Sequence, residues 1–173
     1  MRAHPGSRLV ALVVLWFLAL SFLIVLVVFD SPQVDYRLVM VGSVLPWLDF
    51  VWGDPWPLHS VLFAVALMVL VMVAGWGRRL LQRRWIGLAI GVFMHLVLSG
   101  TWRSQKLFWW PVFGSGAEGE SPAVPGLTLA LALEAVGLIA VWVLWQRVGF
   151  ADARRRKLFI TTGHIDRRVM SAR

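Results

Sequence analysis

The sequence has no cysteine and a single tyrosine, and only 15% of its 173 residues are charged. Without cysteine there is no disulfide framework, no thiolate metal site and no thiol nucleophile. The shortage of charge argues against an ordinary soluble domain, in which about a quarter of the residues are ionised. Carboxylates are scarcest: Asp and Glu total 9 against 17 Lys and Arg, leaving a formal net charge of +8. A pI near 11.6 invites a nucleic-acid reading. The basic residues, however, sit at the ends of apolar runs rather than along one stripe, so no nucleic-acid partner is expected.

What the chain does contain is apolar length. Hydrophobic residues make up 59% of it, with a mean hydropathy of +0.74. Four runs are expected to be transmembrane helices, about 9–29, 58–77, 85–101 and 124–145. The first would span about 30 Å at ~1.5 Å per residue, the thickness of a hydrocarbon core. It exceeds the h-region of a signal peptide, and Phe29-Asp30-Ser31-Pro32 lacks a small-residue cleavage pattern, so it reads as a retained anchor. A shorter apolar stretch, about 38–48, ends around Pro46 and reads as a re-entrant or interfacial half-helix. The expected fold is an all-α integral membrane protein: four transmembrane helices plus that half-helix in a single domain, 1–150, followed by a basic cytoplasmic tail, 151–173.

Orientation follows from the basic residues. With the N-terminus inside, Arg2, Arg8, the Arg78–Arg84 group and everything basic from Arg147 onward collect on one side. Arg37, Arg103 and Lys106 are left opposite, as the positive-inside bias would arrange them. Both termini are then cytoplasmic, in a multi-pass inner (plasma) membrane protein. Trp47, Trp52, Trp56, Trp102, Trp109 and Trp110 fall in the two outer segments or at their junctions, where indole favours the headgroup layer.

Ionisable residues inside apolar runs are costly, ~2.5–3.5 kcal/mol for a central Asp, Lys or Arg, and so mark candidate sites. His59 opens the second run, His95 lies in the third and Glu134 in the fourth, with Asp49 nearby in the outer segment. Gly87, Gly91, His95 and Ser99 recur every four residues and share one helix face. Ala130, Glu134 and Gly137 form a matching face on the fourth run, and the two faces are expected to meet, bringing Glu134 to His95. Imidazole and carboxylate ligate zinc and similar ions, and a catalytic site leaves one position for water. Hydrogen bonds that merely pack the helices are the plainer alternative. Arg37, Arg103 and Lys106 are candidates to grip a lipid phosphate, or simply to anchor the spans at the interface.

From Asp35 to Gly114 the chain resembles the bacterial YdjM-like membrane-bound metal-dependent hydrolases. The resemblance is carried by Asp35-Tyr36-Arg37 leading into Val41-Gly42-Ser43-Val44-Leu45-Pro46, by His59-Ser60, by His95 to Trp102, and by Leu107-Phe108-Trp109-Trp110-Pro111. It implies a divalent metal (Zn, Mg or Mn) on Asp49, His59 and His95; Glu134, outside the resembling stretch, is expected to reach the site as a supporting ligand or base, which makes Glu134 and His95 the catalytic candidates. Two carboxylates of the family pattern are replaced here, by Trp47 and by Ser99. The expected function is metal-dependent hydrolysis of a lipid or lipid-linked ester or phosphoester at the outer leaflet. The alternative is a non-catalytic membrane scaffold or interaction subunit that keeps the family fold. Membrane lipid is the expected partner, with self-association or a membrane-protein partner left open.

Overall fold

Apolar runs this long satisfy their backbone polar groups most simply as helices, and every regular element among the described residues is helical. The computed structural model describes residues 13–52, 56–112 and 125–166. Helix α1 is Val14–Phe29. Helix α2 is Tyr36–Val44, continued by a 3-10 turn, Leu45–Leu48, and a short helix α3, Asp49–Trp52. A second 3-10 turn, Pro57–His59, leads into α4, Val61–Ala74. Helix α5, Arg79–Ser99, is followed by the turn Thr101–Arg103 and the short α6, Gln105–Phe108. The long helix α7, Leu127–Val148, and then α8, Ala153–Thr162, complete the order.

Local chemistry sets several of these boundaries. The Asp35 carboxylate accepts from Arg37 N–H at the start of α2, and Ser60 Oγ accepts from Phe63 N–H at the start of α4, relieving orphan amides of the first turn. Gly100 ends α5 at φ 71, in the left-handed region that a residue without Cβ enters at little cost.

Packing is closest where side chains vanish. Helix α2 lies along α5 in the same direction, with Gly42 against Gly91 and Leu88, and Gly87 against Asp35 and Val39. A Cβ at Gly91 would meet the Gly42 Cα at 2.8 Å and the Ser43 N at 2.9 Å, both backbone atoms. Helix α4 runs antiparallel to α5, Gly75 facing Gln82 at one end and His59 facing His95 at the other. Helices α1 and α7 run parallel: a Cβ at Gly137 would lie 2.6 Å from Trp16 N, and farther along Phe22 and Leu144 share one core.

Among the described residues two helices, α5 with 21 residues and α7 with 22, are long and apolar enough to cross a membrane. Around them α1, α4 and the segment Tyr36–Leu48 are shorter apolar helices. Large apolar side chains such as Leu70 and Val73 on α4, and Ile139 and Trp142 on α7, point outward.

The arrangement corrects three sequence expectations. First, the residues after α1 belong with the arginine-rich end: Asp35 pairs with Arg84 at 3.5 Å, and Arg83 donates to Gln33 at 2.8 Å. Helix α1 therefore runs opposite to the direction inferred from basic-residue counting, and Arg37 joins the basic end. The charge count leaned on Arg2 and Arg8, against which the single Arg37 weighs little. Residues 1–12, on which the N-terminal placement rested, lie outside the described set. Second, the 38–48 segment lies inside the bundle with Tyr36, Val39, Gly42 and Ser43 buried. It starts at the arginine-rich end and ends near His95, at the opposite end of the bundle. Third, the tail from 151 is folded as far as Asp166. Gly163 O accepts from Tyr36 N–H at 3.0 Å, Phe159 stacks on Phe22, and Ile165 is buried.

Candidate functional site

Helix breaks at one end of the bundle gather three of the four residues singled out from the sequence. Pro46 has no N–H to donate, so the α-helical ladder of α2 stops there. Close by, the Ser43 carbonyl accepts from His95 Nδ1 at 2.6 Å. Asp49 opens α3, and its Oδ2 accepts from Leu58 N–H at 2.9 Å and meets His59 Nδ1 at 2.8 Å. The turn that carries His59 follows Trp56, which is held in the left-handed region at φ 59, a conformation costing about 1–2 kcal/mol for an L-residue. Trp56 is nonetheless buried, with its ring edge-on to both Phe50 and His59.

The result is a line rather than a ring: Asp49, His59, His95, then the Ser43 carbonyl. The two Nε2 atoms face each other at 3.3 Å, and Asp49, His59 and His95 are each no more than 1% exposed. A carbonyl oxygen can only accept, so the proton of neutral His95 is on Nδ1 and its Nε2 carries a lone pair. An ionised Asp49 likewise holds a proton on His59 Nδ1. In the neutral state two lone pairs thus point at one another, an arrangement that calls for a cation between them: a proton or a metal ion. Two nitrogens each ~2.0–2.1 Å from a tetrahedral zinc lie about 3.3–3.4 Å apart, so the observed spacing fits. The carboxylate and carbonyl behind the imidazoles are the partners that usually orient ligating histidines. Asp49 Oδ1 is buried with no hydrogen-bond partner, a position that would suit a donor such as water.

Aromatic rings wall the pair. Phe17 of α1 stacks on His95 with centroids 4.4 Å apart, and Trp47 stands edge-on to both rings. Beyond them a cavity of about 490 Å³ is lined by residues that include His59, His95, Trp47, Ser99 and Arg103.

The remaining expectations fare differently. The small faces of α5 and α7 do make close approaches, but to α2 and α1 rather than to each other. Glu134 is accordingly turned away from the histidines. Its Oε2 accepts from Leu15 N–H at 3.1 Å and Trp16 N–H at 3.4 Å, so it serves α1 as a cap supplied by another helix. Glu134→Ala is expected to lower stability by about 0.5–2 kcal/mol, the usual range for losing a cap, seen as a lower midpoint of thermal unfolding in detergent. Asp49 stands behind His59 instead of joining a three-residue cluster, and no group of three His, Asp or Glu suited to a metal occurs among the described residues. Ser99, where the resemblance led one to expect a carboxylate, exchanges a hydrogen bond with Thr101 at 2.6 Å. Arg37 is bound to Asp35 and the Ile160 carbonyl at the far end of the bundle. Lys106 lies on α6, and only Arg103 of the three phosphate candidates lines the cavity. Sequence reasoning missed Phe17 and the Ser43 carbonyl. Pro46 was only an indirect signal for the latter, since the donor it removes would have faced Gly42, one residue earlier.

No family model matches the chain, and neither a curated protein nor a solved structure matches it.

Proposed function

We propose that the chain is a multi-pass membrane hydrolase in which His59 and His95 hold a divalent metal ion beside a cavity that admits a lipid or lipid-linked ester or phosphoester. The observation that carries this reading is the pair of opposed Nε2 atoms at 3.3 Å, each imidazole fixed from behind by an acceptor on Nδ1. When bound, such an ion brings the pKa of a coordinated water down to about 7 and polarises the bond under attack. The chain's own residues hold and shape the site. Asp49 keeps the His59 proton on Nδ1, and the Ser43 carbonyl does the same for His95. Phe17 and Trp47 cover the pair and limit the water around it. Hydrolysis adds one water across the bond, its oxygen to the acyl or phosphoryl centre and a proton to the leaving oxygen.

In this reading α1, α4, α5 and α7 are the four spans, and the short α2 packs among them. The arginine-rich end faces the cytoplasm of an inner membrane, by the positive-inside bias, and the histidine pair then lies toward the outer leaflet.

Metal content measures this directly. Protein purified in detergent and analysed for elements is expected to carry about one equivalent of zinc, manganese or magnesium. Asp49→Asn is expected to weaken retention by about 10–100-fold, the usual loss when the partner of a ligating histidine is changed. Less than a tenth of an equivalent in the unaltered protein, with no gain on adding any of these metals, defeats the proposal.

A second reading, a non-catalytic membrane scaffold that keeps the same fold, is favoured by one observation: a third ligand-type residue is missing from the histidine pair among the described residues. Stoichiometric metal together with His95-dependent hydrolysis would rule it out.

A further inference from the structure

The cavity beside the histidine pair has walls of two kinds. Trp16, Trp47, Leu129 and Leu133 make most of it apolar, while Arg103 is the one arginine or lysine among the described lining residues. The Arg103 guanidinium lies 5.5 Å from the Trp102 ring centroid, and no carboxylate among the described residues pairs with it. The planar guanidinium fork suits a planar or tetrahedral oxyanion. The cavity is also open on its side. Val97 of α5 and Leu129 of α7 both line it, yet are 45% and 55% exposed, so it meets the apolar outer surface between those helices. A small soluble ester gains little from that opening, whereas a molecule already in the bilayer can slide its chain in sideways.

We infer that the cavity binds an anionic amphiphile, with its phosphate or carboxylate on Arg103 and its hydrocarbon chain against Trp16, Leu129 and Leu133. This assignment of substrate class rests on the hydrolase reading for where the scissile bond sits, next to His59 and His95. Its volume of about 490 Å³ falls in the ordinary range for a site enclosing one small ligand. Chain length supplies affinity through burial of methylenes, and the oxyanion fixes which end of the molecule stays near the headgroup layer.

The test uses the full chain in phosphatidylcholine nanodiscs with radiolabelled dodecylphosphonate, whose carbon–phosphorus bond resists hydrolysis, subtracting uptake by empty discs. Saturable binding near one equivalent is expected, at least tenfold weaker in Arg103→Gln and partly restored in Arg103→Lys. Dodecanol and methylphosphonate are expected to compete at least tenfold less well than unlabelled dodecylphosphonate, the first lacking charge and the second the chain. Leu133→Trp, which fills the apolar wall, is expected to reduce binding while leaving Arg103 in place. Unchanged affinity in Arg103→Gln overturns the assignment. So does equal competition by methylphosphonate, which would mark a site for free phosphate or phosphonate. Arg103-dependent binding that persists in a protein without metal or hydrolysis upholds the cavity assignment and removes the catalytic reading. Hydrolysis accompanied by Arg103-independent binding does the reverse.

Discussion

His95→Ala is expected to empty the metal site and abolish hydrolysis, with metal below a tenth of an equivalent and turnover down by at least a hundredfold. Three losses coincide at this one residue. The Nε2 lone pair facing His59 disappears, leaving a single imidazole where two had shared an ion, and one nitrogen ligand holds a divalent cation far less well than two. The Ser43 carbonyl loses its donor, and a buried acceptor left unpaired costs about 1–3 kcal/mol. Phe17 loses the ring on which it stacks, and the space that opens beside it adds a cavity term. The thermal midpoint should therefore fall along with the activity. Metal content measured on a variant that still elutes as a single species separates the chemical loss from the structural one. Unchanged metal and unchanged hydrolysis in His95→Ala would contradict the site outright.

Gly91→Ala is expected to be nearly as damaging, although it adds one methyl group and touches neither histidine. The new Cβ would be driven into the Val39 carbonyl, the Gly42 Cα and the Ser43 N. These are backbone atoms of α2, so no rotamer change relieves the overlap, and α2 must move off α5. Overpacking of this kind costs about 1–3 kcal/mol. The displaced segment includes Ser43, so the hydrogen bond that fixes His95 lengthens with it. The expected result is a lower unfolding midpoint in detergent together with weaker metal retention. By contrast Gly126→Ala, at a glycine with open space around it, should change neither. Similar melting of both glycine variants would mean that the close approach of α2 and α5 contributes little.

How much of this was legible in the sequence depends on whether a property belongs to one helix or to two. The apolar runs, the four-residue spacing of Gly87, Gly91, His95 and Ser99, and the rarity of Asp49, His59 and His95 in such surroundings are properties of single segments. Each corresponds to something in the fold: a helix, a close-packed face, a buried line of polar groups. Pairing is a property of two segments, and there periodicity is silent. A face of small residues says that something comes close without saying which helix, so Glu134 was assigned to His95 when it caps α1. The direction of α1 was misread for a related reason. Basic-residue counting lets Arg2 and Arg8 outweigh the single Arg37, which Asp35 and the end of α8 hold at the arginine-rich end. The length criterion said that α2 is short but not that its Val39, Gly42 and Ser43 would be buried against α5, because burial by a neighbour is again a property of two segments. The position of Asp49 behind His59 could not be read from spacing either, since a carboxylate that ligates and one that orients a ligand look alike in a sequence.

The helix that brings Ser43 to His95 begins at Tyr36, whose amide is satisfied by Gly163. Well over a hundred residues of chain must leave the ribosome between those two partners. Until they do, the foot of α2 has an open amide and Phe22 has no Phe159 to stack on. Closing the foot of α2 is therefore tied to a segment translated more than a hundred residues later, and this end of the bundle packs only once that segment has arrived.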